Sequence, residues 1–83
     1  MSDRRVLKFS ASWCNPCKAL SETLKNINTE IPIYELDVDS HQEHAREFNI
    51  RSVPTLVMMD GNTEIKRLRG GLPKELLEAW LNG

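Results

Sequence analysis

The sequence has no excess of charge of either sign. Eleven basic residues stand against twelve acidic ones, which leaves a formal net charge of −1. A balanced chain of this kind has no general electrostatic attraction for nucleic acid or for an anionic membrane surface. We therefore expect neither as a partner, and predict that the chain acts on another protein or a small thiol.

Long hydrophobic runs are also missing. No segment approaches the roughly 20 apolar residues that span a bilayer. Charged residues, among them Asp3, Arg4 and Arg5, stand where a secretory signal would carry its apolar stretch. We therefore expect a cytoplasmic protein without membrane contact. Since the sequence shows no repeat and no linker, we expect residues 1–83 to form a single domain and to act as a monomer.

Cysteine is scarce, because the chain contains only Cys14 and Cys17. In a reducing compartment such a pair is redox-active or metal-binding more often than structural. A zinc site that also used His41 and His44 would need about three to five residues between the histidines, whereas this chain has two. We therefore predict redox chemistry and no metal.

Short apolar segments alternate along the chain. The patterns predict strands at 6–11, 31–38, 55–59 and 64–68, and helices at 15–28, from Ser40 to near Asn49, and from Pro73 onward. The first helix joins two strands as a right-handed parallel crossover, and the turn at residues 60–62 closes an antiparallel hairpin. The predicted fold is therefore α/β, a four-stranded mixed sheet with about three helices in the order β-α-β-α-β-β-α.

Two of the predicted helices carry more detailed signals. Ser40 and Glu43 have the spacing of a capping box at the start of the second helix. In the last helix, four large apolar residues recur at helical spacing and are predicted to close the fold against the sheet: Leu76, Leu77, Trp80 and Leu81.

A single motif joins the first strand to the first helix: Trp13-Cys14-Asn15-Pro16-Cys17-Lys18. Two residues between the cysteines, wound into a helical turn, bring the sulfurs within bonding reach, and Pro16 rigidifies that turn. Free N–H groups and the positive helix end stabilise a thiolate on Cys14. We predict that Cys14, the more exposed thiol, is the nucleophile. Cys17 is the predicted resolving thiol.

This motif resembles the active site of thioredoxins, which usually have glycine where Asn15 stands. Residues 49–55 resemble the loop before that family's third core strand. The resemblance implies a cis Pro54 facing the disulfide, a Val53 backbone that pairs with an extended substrate, and a far groove wall at Gly70 and Gly71. Trp13 would add an apolar surface beside the nucleophile.

The resemblance also implies an activity, the reduction of protein disulfides through a Cys14–Cys17 disulfide couple. No bound metal or organic cofactor is implied. Electrons would come from NADPH through thioredoxin reductase, or from glutathione.

Two charged residues depart from the family pattern. Thioredoxins usually carry a buried acid six residues before the first cysteine and its lysine partner on the next strand, but Lys8 and Glu35 stand there with exchanged signs. We predict a partly buried ion pair beneath the active site that, with Asn15 and Lys18, tunes the thiols. The alternative is that Lys8 extends along apolar surface into water. Thioredoxins also begin with an additional strand and helix, and without these the strand at 31–38 is expected at an edge.

Two other functions fit parts of the sequence. A glutaredoxin would share the fold and the short length, but it usually has Pro-Tyr between its cysteines, whereas this chain has Asn15-Pro16. A non-catalytic binding module could use the groove around Trp13, Pro54 and Gly70 for a partner and leave the thiols idle. Replacing both cysteines by serine distinguishes that module from an oxidoreductase.

Overall fold

A computed structural model describes residues 3–83, so that Met1 and Ser2 lie outside the described part of the chain. The elements follow the predicted order: β1 Arg4–Ser10, α1 Asn15–Lys25, β2 Ile33–Asp37, α2 Gln42–Glu47, β3 Thr55–Asp60, β4 Thr63–Arg69 and α3 Lys74–Asn82. The mixed α/β fold is confirmed. Helix α1 is shorter than predicted, because Asn26 already forms its C-cap.

The sheet has the strand order β2-β1-β3-β4. Strand β1 pairs in parallel with β2 and antiparallel with β3, and β3 pairs antiparallel with β4. The strand that leads to Cys14 therefore lies inside the sheet, and β2 is an edge strand as predicted. Because β1 and β2 are parallel, the loops that follow both strands lie at the same end of the sheet.

Side chains of β1 alternate between the two faces of the sheet, as the period of a strand requires. Val6 belongs to the larger core cluster, which joins the sheet to α1 and α3 with Leu20, Leu56, Met58, Leu77 and Leu81. Phe9 belongs to the cluster on the other face, where its ring centroid lies 5.7 Å from that of Phe48. Lys8 alternates with Phe9 and therefore shares the face of α1, where it is buried.

The start of α2 differs from the prediction. The helix begins at Gln42 with His41 at its N-cap, and no side chain caps it. The predicted capping box of Ser40 and Glu43 is therefore wrong. The physical reason is a backbone turn, in which the carbonyl of Asp37 accepts the N–H groups of both Ser40 and His41 and delays the helix. Asn49 follows the helix with φ 56°, the left-handed conformation predicted for it.

The last helix buries fewer leucines than predicted. Leu77 and Leu81, four residues apart, are fully buried, whereas Leu76 is 57% exposed. One helical step turns a side chain by about 100°, so Leu76 turns away from the sheet when Leu77 faces it. Trp80 packs at the margin of the larger core, with Lys66 Nζ 5.0 Å from its ring centroid.

We predict that Leu81→Ala lowers the free energy of unfolding by about 2–5 kcal/mol, because it empties a fully buried site. Leu76→Ala, the same change five residues earlier on the exposed side of the helix, should change it by about 0.5 kcal/mol or less. Urea unfolding followed by circular dichroism measures both values. Equal losses would contradict the orientation of α3.

Candidate active site

The two cysteines form a disulfide at the start of α1, with their Cα atoms 5.3 Å apart. Cys14 is the N-cap residue of the helix, with φ −93° and ψ 105°, and Pro16 lies in the first turn. The Cys14 sulfur accepts the N–H of Cys17 at 3.2 Å. The otherwise unpaired N–H groups of a helix start stabilise negative charge, so this position favours a thiolate on Cys14 once the disulfide is opened.

The burial of the two cysteines is nearly equal, at 4% exposure for Cys14 and 2% for Cys17. In the oxidised form Cys14 is therefore not the exposed residue that the sequence analysis predicts, because its sulfur is covered by the neighbouring loop. The surroundings of the two sulfurs differ more than their burial. Cys14 Sγ lies 3.8 Å from the carbonyl oxygen of Val53, whereas Cys17 lines a separate cleft with Ser10 and Glu35.

The loop that covers Cys14 contains a cis peptide bond between Val53 and Pro54. The N–H of Gly70 donates to the Pro54 carbonyl at 2.9 Å, which brings the end of β4 to this loop. Gly70 has φ 83°, a conformation that L side chains rarely adopt, although a Cβ there would meet no atom within 4 Å. The structure thus places Val53 beside Cys14 and joins the adjacent Pro54 to Gly70. Gly71 follows them and is exposed.

Trp13, which directly precedes Cys14, is exposed, and its Nε1 donates to Asp39 Oδ2 at 3.1 Å. Asp39 is not among the site residues predicted from the sequence. A signal for it exists, because Asp39 follows β2 and the loops after parallel strands lie at one end of the sheet. The Asp39 N–H in turn donates to Asp37 Oδ1 at 2.8 Å, which orders this turn. Asn15 and Lys18 are exposed.

The predicted contact between Lys8 and Glu35 is present. The two residues are direct partners across β1 and β2, and Lys8 Nζ lies 3.1 Å from Glu35 Oε2. The lysine side chain is 3% exposed and that of the glutamate 61%. Lys8 also donates to Ser21 Oγ, and Ser10 Oγ donates to Glu35 Oε2 at 2.8 Å. These two serines, which the sequence analysis missed, complete a polar network inside the α1 face of the sheet.

The network holds the pKa of Glu35 below its usual value. The largest cause is the hydrogen bond from Ser10, followed by the hydrogen bond from Lys8, while partial burial acts in the opposite direction. Glu35 lines the same cleft as Cys17, whereas Lys8 lines an adjoining cavity with Ser21. The carboxylate is therefore the member of the pair that shares a cleft with a cysteine.

Neither a metal-binding cluster nor a membrane-spanning helix is found within residues 3–83. That part of the chain contains no cluster of three or more His, Cys, Asp or Glu side chains arranged to hold a metal ion. The rings of His41 and His44 contact each other with centroids 5.9 Å apart. None of the helices described in the structure is long and apolar enough to cross a membrane.

A disulfide closed across the first turn of a helix, beside a cis-proline loop, defines a site for thiol–disulfide exchange. Comparison with known proteins agrees. The sequence profile of the family described as Thioredoxin matches residues 1–83. The chain is 37% identical to a thioredoxin from Alicyclobacillus acidocaldarius subsp. acidocaldarius, over 95% of this chain and 80% of that protein. The chain therefore belongs to the thioredoxin family and is a thiol–disulfide oxidoreductase.

Two other similarities bear on fold and context. A solved structure of a mutant thioredoxin from Halobacterium salinarum NRC-1 superimposes with a TM-score of 0.88 at 26% identity, covering 98% of this chain and 74% of that one. A bifunctional thioredoxin reductase/thioredoxin from Mycobacterium leprae (strain TN) is 37% identical over 87% of this chain. The chain spans only 17% of that longer protein.

The lowered pKa of Glu35 predicts a pH dependence of stability. Because its folded pKa lies below the unfolded value of 4.5, the carboxylate stabilises the fold above about pH 4.5, and this contribution is lost as the pH falls through the folded pKa. We expect Glu35→Gln to be less stable than the wild type at neutral pH, and the difference to shrink in acid. Urea unfolding over a pH series measures this. Glu43→Gln, at an exposed site without an ion pair among residues 3–83, is the control, and an equal response in both variants would contradict the assignment.

Proposed function

We propose that this chain reduces disulfides in partner proteins, with Cys14 as the attacking thiolate and Cys17 as the resolving thiol. The observation that carries the proposal is the position of the Cys14 sulfur at the N-cap of α1, where it accepts the N–H of Cys17. A thiolate there receives the same hydrogen bond and the field of the helix end. Cys17 lies one turn further along the helix, within bonding distance of Cys14 but facing a different cleft.

The reaction transfers two electrons in two exchanges. The Cys14 thiolate of the reduced protein attacks one sulfur of the substrate disulfide. A bond forms between Cys14 and that sulfur, the substrate S–S bond breaks, and the departing sulfur leaves as a thiolate that takes up a proton. Cys17 then loses its proton and attacks the Cys14 sulfur. The Cys14–Cys17 disulfide forms, and the second substrate sulfur leaves as a thiolate.

The backbone next to Cys14 supports the proposal that an extended segment of the substrate protein binds there. Val53 makes none of the backbone–backbone hydrogen bonds found in the turns and loops of residues 3–83, and its carbonyl oxygen lies 3.8 Å from Cys14 Sγ. A substrate strand that paired with this backbone would bring its own sulfur next to Cys14. Pro54, Gly70 and Gly71 would form one wall of the groove, and Trp13 the other.

We predict that Cys14→Ser abolishes reduction of insulin, because the thiolate at the N-cap of α1 is lost and the remaining Cys17 is buried and faces a different cleft. Cys17→Ser should instead accumulate a mixed disulfide between Cys14 and the substrate, because nothing resolves it. Nonreducing electrophoresis and mass spectrometry of the trapped complex measure this. Normal turnover by Cys17→Ser would show a monothiol mechanism. A double Cys14→Ser, Cys17→Ser variant that kept the biological function would show a binding module.

We also propose that the Lys8–Glu35 pair affects how readily the cysteines form thiolates. The carboxylate shares a cleft with Cys17, and Lys8 balances its charge at 3.1 Å. Without the ammonium, the negative charge of Glu35 would act unopposed on Cys17 and disfavour a second anion there. Lys8 therefore acts as a positioning residue, which favours thiolate formation through the carboxylate that it neutralises.

We predict that Lys8→Met slows the alkylation of the cysteines at neutral pH by about three- to tenfold and moves its pH midpoint upward. Iodoacetamide labelling of the reduced protein over a pH series measures both quantities. Lys25→Met removes the same charge from an exposed lysine of α1 and should leave the midpoint in place. A midpoint that does not move in Lys8→Met would restrict the ion pair to a structural role.

The electron donor that we propose is NADPH through a thioredoxin reductase. The support is the Mycobacterium leprae relative, whose name describes a reductase and a thioredoxin in one protein. We predict that insulin reduction proceeds with NADPH and thioredoxin reductase, and is much slower with glutathione and glutathione reductase. The reverse result would indicate a glutaredoxin. A cytoplasmic location and a monomeric state, which the sequence predicts, belong to the same proposal.

A further inference from the structure

Charged residues of opposite sign stand beside the segments that would form the groove next to Cys14, and all of them are exposed except Asp37, which is half-buried. We define the arginine wall as Arg51 and Arg69. Arg51 precedes Pro54 in the same loop, and Arg69 lies beside that loop on the neighbouring strand β4. We define the acidic wall as Asp37 and Asp39, on the side of Trp13. The chain as a whole carries a net charge of only −1, so this separation is a local property of the groove.

Backbone contacts fix the position of the arginine wall. Arg69 immediately precedes Gly70, whose N–H donates to the Pro54 carbonyl at 2.9 Å. The Cα partner of Arg69 across the sheet is Thr55, the residue after that proline. Arg51 lies three residues before Pro54 in the loop that leads to it. The two arginines therefore border the segment to which an extended substrate would bind.

Both arginines are exposed and have no carboxylate partner within residues 3–83. Arg67, two residues earlier on β4, shows the contrast. It holds Glu64 through two hydrogen bonds of 2.6 and 2.7 Å, and this contact raises the pKa of the guanidinium further. The charge of Arg67 is thus compensated inside the chain, whereas the charges of Arg51 and Arg69 face the solvent.

The acidic wall is weaker. Asp39 is held by Trp13 Nε1 at 3.1 Å and donates its own N–H to the carboxylate of Asp37. Lys18 lines the same cleft as Asp37 and offsets part of this negative charge. The carboxylates on this side are thus partly compensated, since Lys18 shares the cleft of Asp37 and Lys8 pairs with Glu35, which lines the same cleft. Arg51 and Arg69, in contrast, have no carboxylate partner within residues 3–83. The uncompensated charge next to this site is therefore positive and belongs to the two residues that flank the Pro54 loop.

We propose that the arginine wall selects protein disulfides whose reacting cysteine is flanked by acidic residues. This inference rests on the proposed function, since it concerns the substrate of the same site. A guanidinium group binds a carboxylate through paired hydrogen bonds, and charges at the rim of a binding site act mainly on the rate of association. Acidic residues placed over Pro54 and Gly70 would meet Arg51 and Arg69, and would steer the neighbouring cysteine toward Cys14.

The test uses three synthetic peptides that differ only in the residues flanking a single cysteine, which are Glu, Gln or Lys. Each cysteine is capped as a mixed disulfide with uncharged 2-mercaptoethanol. The reduced full-length chain is mixed with each peptide, and the reaction is followed by acid quench and chromatography. Each rate is divided by the rate with dithiothreitol, because flanking charges alter the reactivity of the disulfide itself.

We expect the corrected rate to be about three- to tenfold higher for the Glu peptide than for the Gln peptide, and lowest for the Lys peptide. This preference should fall to about one in an Arg51→Gln, Arg69→Gln variant. It should also weaken in about 1 M salt. The matched control is Arg4→Gln, Lys25→Gln, which removes two positive charges outside the groove. Arg4 opens β1, at the opposite end of that strand from Cys14, and this variant should keep the preference.

Two results would overturn the inference alone. One is a Glu to Gln ratio near one in a wild type that reduces all three peptides. The other is a ratio that survives in the Arg51→Gln, Arg69→Gln variant. Failure of the reduced wild type to react with bis(2-hydroxyethyl) disulfide, a small neutral substrate, would instead overturn the proposed function and this inference with it.

Discussion

The hydrogen bond from the Cys17 N–H to the Cys14 sulfur, at 3.2 Å, marks the point where strand β1 ends and helix α1 begins. The rest of the site depends on this junction. Because β1 lies inside the sheet, between β2 and β3, the junction is held from both sides. Because Cys14 is the N-cap residue, its sulfur occupies the place where a helix start leaves N–H groups unpaired. The Cys14 sulfur therefore combines a rigid position with the positive end of a helix, which favours a thiolate there.

A buried ammonium imposes the second constraint. Lys8 alternates with Phe9 on β1, so its side chain must enter the face covered by α1. Burying an isolated charge is costly unless it is paired and hydrogen-bonded. Glu35 and Ser21 provide those partners, and Ser10 holds the carboxylate from the other side. The largely exposed glutamate keeps one side of the network in water, which reduces the cost of desolvation. The same carboxylate then lines the cleft of Cys17, so that the partner required by a buried residue of β1 is also a neighbour of the disulfide.

Residues from distant parts of the chain would form the proposed substrate groove. Pro54 and Gly70 are joined by one backbone hydrogen bond, and Trp13 and Asp39 by one side-chain hydrogen bond. The first contact links the segments at the ends of β3 and β4, and the second links the segments that follow β1 and β2. The charges that border the groove follow the same division, with Arg69 at the end of β4 and Asp39 after β2. The arrangement of strands thus decides which charges a bound segment would meet.

The sequence alone determined the order of the elements, the disulfide pair, the cis-proline loop by resemblance, and the contact of Lys8 with Glu35. The first two depend on local spacing or on a short motif, whereas the contact of Lys8 with Glu35 follows from the positions at which the family usually carries an acid and its lysine partner. The sequence did not determine the exposure of Leu76, which depends on how α3 is rotated about its axis against the sheet. It also did not determine the start of α2, which the Asp37 carbonyl delays, or the burial of Cys14, which the Pro54 loop covers. All three depend on packing. Asp39, Ser10 and Ser21 join the site for the same reason. Asp39 contacts Trp13, Ser10 contacts Glu35 and Ser21 contacts Lys8 only after the strands and α1 have packed together. A short sequence pattern does not predict contacts between residues so far apart in the chain.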